Sequence, residues 1–129
     1  MKKLITVSIV FLFFLNCSKS TEEIANPFLG KWQLTGEKIS TGGPTPDWAP
    51  ISNGYFITFS AENTFTSTQI TGCGNGTYTI INNKLLLNFE CNNQSIPSKF
   101  DIASVSNSEL ILKNINCIEE CASKFQKIN

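Results

Sequence analysis

From residue 30 onward, apolar side chains alternate with polar ones in short runs, and turn-forming residues separate the runs. A period of two marks strands that bury one face, and no stretch keeps the 3.6 period of an amphipathic helix. Trp32 and Leu34 alternate with polar neighbours over 30–39, Tyr55, Ile57 and Phe59 over 54–59, and Phe100 and Ile102 over 98–105. Further strands are predicted at 64–71, 77–81, 84–91, 109–115 and 123–128. The stretch from Ser40 to Pro50 holds two glycines and three prolines and is expected to be an irregular loop. The expected fold is all-β: eight antiparallel strands in up-and-down meander order. Closing such a meander into a barrel removes both exposed edges.

One hairpin can be read to single-residue register. Asn82-Asn83 is a two-residue turn between 77–81 and 84–91, so Ile81 should face Lys84, Ile80 Leu85 and Tyr78 Leu87. Tyr78, Ile80, Leu85, Leu87 and Phe89 then share one face. Extending the ladder brings Cys91 beside Gly74 and Cys73. The expected bridges are therefore Cys73–Cys91 and Cys117–Cys121, with crossed pairings of Cys91 to Cys117 or Cys121 left open. Cys117-x-x-x-Cys121 also has tolerable spacing for a zinc ligand pair. There is no second close pair and no His, so disulfides are the expected state and no metal or other cofactor is expected.

The N-terminus reads as an address. Lys2-Lys3 precedes an apolar run from Leu4 to Leu15. That run is too short for a bilayer-spanning helix, which takes about 20 residues, and suits a signal-peptide core. Cys17 follows at once and resembles a bacterial lipobox. Phe14 and Asn16 stand where the strict box has Leu and a small residue, as in the looser boxes of Bacteroidota lipoproteins. The resemblance implies a signal peptide over 1–16, a diacylglyceryl thioether on Cys17, a flexible tether over 17–26 and a domain over 27–129. It implies a lipid-anchored protein of the cell envelope, held at the outer membrane on its periplasmic face or at the cell surface. Lys19 with Glu22-Glu23 loosely resembles a surface-export signal.

Composition then narrows the function. Ten lysines balance ten acidic residues. Loss of Lys2 and Lys3 with the leader leaves eight against ten, a net charge of −2. Such a balance gives no basic footprint for nucleic acid. Without His there is no Ser-His-Asp or Cys-His pair, and no Gly-rich loop opens a helix. The chain is expected not to be an enzyme, and to be monomeric.

Leu29-Gly30-Lys31-Trp32, with Gly-x-Trp opening the first strand before a long loop, resembles the lipocalin-like domains of small bacterial lipoproteins. The hairpins Tyr55–Phe65 and Gly76–Ile80 and the closing Lys124-Phe125-Gln126-Lys127-Ile128 are similar to theirs. The resemblance implies a small lipocalin-like barrel with Gly30 and Trp32 plugging the closed end. The chain has no Arg to pack over the indole, so a lysine, Lys124 in the first place or else Lys127, is expected there. An eight-stranded barrel can be filled by side chains or hold one small ligand. Bulky inward residues favour a filled core with a shallow pocket at the open mouth. Trp48, Tyr55 and Phe59 are the expected ligand or partner contacts. Trp48 reads either as a mouth-lining aromatic or partner anchor, or as a loop residue that folds back as a plug. Two functions follow: a barrel taking a small apolar molecule at its mouth, or an envelope module that presents loops to a protein or glycan.

Overall fold

The strands predicted from alternation become one antiparallel sheet that closes on itself in the computed structural model, which describes residues 26–129. In chain order they are β1 (Gly30–Ile39), β2 (Ala49–Pro50), β3 (Phe56–Phe59), β4 (Thr64–Ser67), β5 (Asn75–Ile81), β6 (Lys84–Cys91), β7 (Gln94–Val105), β8 (Glu109–Asn114) and β9 (Cys121–Ile128). Neighbours pair in sequence from β3 to β9, and β9 returns to β1 from Lys31↔Ile128 to Ile39↔Cys121. Among the described residues no helix is long and apolar enough to cross a membrane. The expected signal peptide and the expected lipidation site, Cys17, lie outside the described residues.

β1 holds the barrel shut. Its other side pairs with β3 over Gly30–Gln33, and then with β2 at Gly36↔Pro50 and Glu37↔Ala49. The loop over 40–50 is therefore not wholly irregular: its last two residues take over the β1 ladder where β3 ends. Gly54 makes the sharp entry to β3 possible, because a Cβ there would lie 2.0 Å from the Leu34 carbonyl oxygen. A register shift between Leu34 and Gly36 places an extra residue, Thr35, in β1 opposite β9.

The β5–β6 hairpin has the expected register, Ile81↔Lys84 to Tyr78↔Leu87, continuing to Gly76↔Phe89. Asn82 and Asn83 have φ of 50° and 62°, the left-handed pair that a type I′ turn needs. Asn92 and Asn93 repeat those values, so β7 begins at Gln94, four residues before the predicted start. Pro97 obscures this in the sequence. It sits opposite Asn88 in the part of β7 that pairs with β6 alone, where one side of the strand is open and no ladder bond is lost. Conversely, β4 ends at Ser67 rather than 71, because the chain turns through 68–74 toward β5.

Side chains fill the barrel axis. Trp32, Phe65, Phe89, Phe125, Leu85, Leu87, Leu110 and Leu112 are all under 2% exposed, and burying each such side chain is worth roughly 1.5–3 kcal/mol. Phe65–Phe89 and Phe59–Tyr78 meet edge to face at centroid distances of 4.9 Å. Ile80, on the inward register of β5, is nonetheless 37% exposed at the sheet margin.

Candidate functional site

The two ends of the barrel differ in chemistry. At the closed end, Trp32 is fully buried and its indole N–H donates to the Phe28 carbonyl at 2.8 Å. The Phe28 ring stands edge-on to Phe59 at 5.9 Å. The ammonium of Lys127 lies 4.9 Å from the Trp32 ring centroid and donates to the Pro27 carbonyl at 3.1 Å. Lys127, not Lys124, is thus the cation over the plug. Strand alternation explains the choice: Phe125 points inward, so Lys127 follows it on that side and Lys124 faces out. Gly30 has φ of 113° and its missing side chain leaves room for the Lys127 stem. Phe59 is 2% exposed among these aromatics and is core, not a ligand contact.

At the open end a cleft of about 320 Å³ lies between the ends of β1, β7, β8 and β9. Tyr55 and Phe100 supply aromatic walls, and Glu37, Lys38, Gln69, Ser98, Asn114 and Ser123 add polar groups. Register shows which of these point in. Leu112, 1% exposed, faces Ser123, and Ser123 faces Glu37, so the three share the inner face. Leu87 faces Ser98, and Leu85 faces Phe100, which faces Asn114. Burial, helped by the charge of Glu37, pushes the Tyr55 phenol from 10.0 up to about 12. Its ring stands edge-on to Phe125 at 5.8 Å. A larger depression, about 480 Å³, lies on the outside at the Asn92-Asn93 turn, but its lining of Glu90, Asn92, Asn93, Gln94 and Ser95 has no aromatic or aliphatic wall.

Both disulfides stand at this rim. Cys73–Cys91 ties the approach to β5 to the end of β6 with Cα atoms 4.7 Å apart. Cys117–Cys121, at 5.9 Å, closes the turn between β8 and β9, and both its cysteines line the cleft. That turn is latched to the end of β1. The Ser40 amide donates to the Glu120 carbonyl at 2.9 Å, and its hydroxyl to Glu119 at 2.8 Å.

Trp48 is not in the mouth. Its ring packs on the outer wall where β1 meets β9, 3.6 Å from where a Cβ on Gly36 would stand. The ammonium groups of Lys124 and Lys38 lie 4.6 and 4.8 Å from its ring centroid. Trp48 thus folds back onto the barrel, but against its outer wall and not as a plug, and it stays half-buried there. The expected contacts Trp48, Tyr55 and Phe59 are therefore not brought together; Tyr55 alone reaches the cleft. Glu37 was absent from the expected set because plain alternation from Trp32 and Leu34 puts Gly36 and Lys38 inside. The extra residue at Thr35 reverses that.

A closed antiparallel meander with a Gly-x-Trp plug at one end and a cleft at the other defines a lipocalin-type barrel. The chain belongs to the lipocalin-like domain family, whose profile matches residues 28–112. Among solved structures it is similar to a lipocalin-like protein from Bacteroides uniformis, at 18% identity and a TM-score of 0.57, covering 79% of this chain and 99% of that one. A lipocalin-like protein from Bacteroides thetaiotaomicron aligns at 16% identity and a TM-score of 0.47, over 78% of this chain and 96% of that one. At such identities the likeness speaks to fold alone. No curated protein matches the chain.

Proposed function

We propose that this is a lipid-anchored cell-envelope protein that takes a small, largely apolar molecule into its barrel mouth. The observation that carries the reading is the division of the barrel. Its axis is filled from the Trp32 plug upward, while the rim keeps a cleft of about 320 Å³ walled by Tyr55 and Phe100. That volume suits a ligand at the small end of the usual pocket range of ~300–1,000 Å³. The cleft has one inward carboxylate and no His, which favours binding over acid–base catalysis. The apolar leader and Cys17 support the anchor, since several acyl chains hold a protein where one gives only marginal binding.

Two measurements test this. Short aromatic and acyl compounds should shift the NMR signals of Tyr55, Phe100 and Ser123 and leave those of Trp32 unmoved; uniform silence at the mouth would end the ligand reading. In cells, Cys17→Ser should move the protein out of the membrane fraction and remove the mass of the lipid. Retention of Cys17→Ser in the membrane would end the anchor reading.

A further inference from the structure

The mouth has a sign. Thr35, the extra residue in β1, shifts the inner face from Lys38 to Glu37. Glu37, Ser123 and Leu112 lie on the inner face, and their sequence neighbours Lys38, Ala122 and Lys113 pair across the same strands on the outer face. Lys38 borders the cleft, but its ammonium lies over the Trp48 ring together with that of Lys124, and Lys113 pairs with Glu120 at 3.5 Å. Glu119 is held by Ser40. Among the described residues, Glu37 makes no ion pair or side-chain hydrogen bond. Beside two aromatic rings the cleft therefore presents a carboxylate whose neighbouring cation, Lys38, is engaged by Trp48 rather than by Glu37.

We propose that the ligand is a small organic cation, an ammonium carried on an apolar body, with Glu37 as its counter-charge and Tyr55 and Phe100 as its walls. This rests on the mouth being the binding site. The chemistry is complementary in each part. A carboxylate in a partly enclosed cleft attracts a cation more strongly than it would in open water. Aromatic faces accept an ammonium group through their quadrupole. An anion would meet Glu37, while Lys38, the basic residue that borders the cleft, holds its ammonium over Trp48.

The test uses the full chain in a nonionic detergent and three matched probes: phenethylammonium, phenethyl alcohol and phenylacetate. NMR shifts of Tyr55, Phe100 and Ser123 report binding. The ammonium should bind at least about fivefold more tightly than the alcohol, and phenylacetate should bind weakest. Glu37→Gln should lower the ammonium to the level of the alcohol. Glu119→Gln, on the rim latch, should leave the preference intact. As a check independent of any variant, raised salt should weaken the ammonium and spare the alcohol. Equal binding of ammonium and alcohol, tightest binding of phenylacetate, or an unchanged preference in a folded Glu37→Gln protein would overturn the cationic assignment while the mouth stood as a site. Failure of all three probes to move the mouth signals would overturn the site itself.

Discussion

Single residues hold this barrel by shape as much as by burial. Gly54→Ala would drive a Cβ into the Leu34 carbonyl, 2.0 Å away. Neither atom belongs to a flexible side chain, so the cost should be about 3 kcal/mol or more, read as a lowered urea midpoint. Trp32→Phe keeps most of the plug but loses the indole N–H bond to Phe28. It leaves a buried carbonyl unpaired, a loss of about 1–3 kcal/mol by the same measurement. Tyr55 gives a pH signature. Its phenol ionises near 10.0 in the unfolded chain and at about 12 in the folded one, from burial first and the Glu37 charge second. Below the lower value both states keep the proton and nothing changes. Between the two values the unfolded chain binds fewer protons than the folded one, so stability falls as pH rises through that window. Tyr78 is also raised, by burial foremost, against a hydrogen bond from Asn26 that lowers it. Denaturation at about pH 9 and about pH 11.5 should show the fall, and Tyr55→Phe should reduce it but not remove it.

At the scale of elements, turns set the register. Asn82-Asn83 and Asn92-Asn93 take the same left-handed pair of φ values. The first turn is legible because regular alternation flanks it. The second has the same dipeptide but is followed by Gln94-Ser95-Ile96-Pro97, where a proline and a polar run hide a strand. What makes that strand tolerable, an open side beside β6, is a fact about pairing and not about the local residues. The two disulfides differ in the loop each closes. Cys73–Cys91 spans a sequence separation of 18 and Cys117–Cys121 one of 4. Chain-entropy reasoning then assigns about 3 kcal/mol to the first and about 2 kcal/mol to the second. Paired Ser variants should lower the denaturant midpoint in that order, and an equal or reversed order would count against an entropic origin.

For the whole molecule, closure is the deciding event. β9 pairs on one side with β8 and on the other with β1, and so joins the two ends of the meander. A chain truncated after Asn114 would expose both edges and the inner aromatics together. It should lose its cooperative thermal transition and aggregate, as gel filtration and circular dichroism would show; a monomeric, folded truncation would contradict the central place given to closure.

The sequence by itself determined the local terms. These are the period of two, the Asn82-Asn83 hairpin with its register, the proximity of Cys73 to Cys91, and a buried Trp32. Each depends on residues close in the chain, or on one pairing that a short turn dictates. Tertiary structure alone decided which lysine covers Trp32, that Trp48 packs outside the barrel, and that Glu37 rather than Lys38 faces the mouth. These depend on how β1 meets β9, strands about ninety residues apart in the chain. An extra residue at Thr35 leaves no mark on local alternation, yet it exchanges the inner and outer faces of everything beyond it.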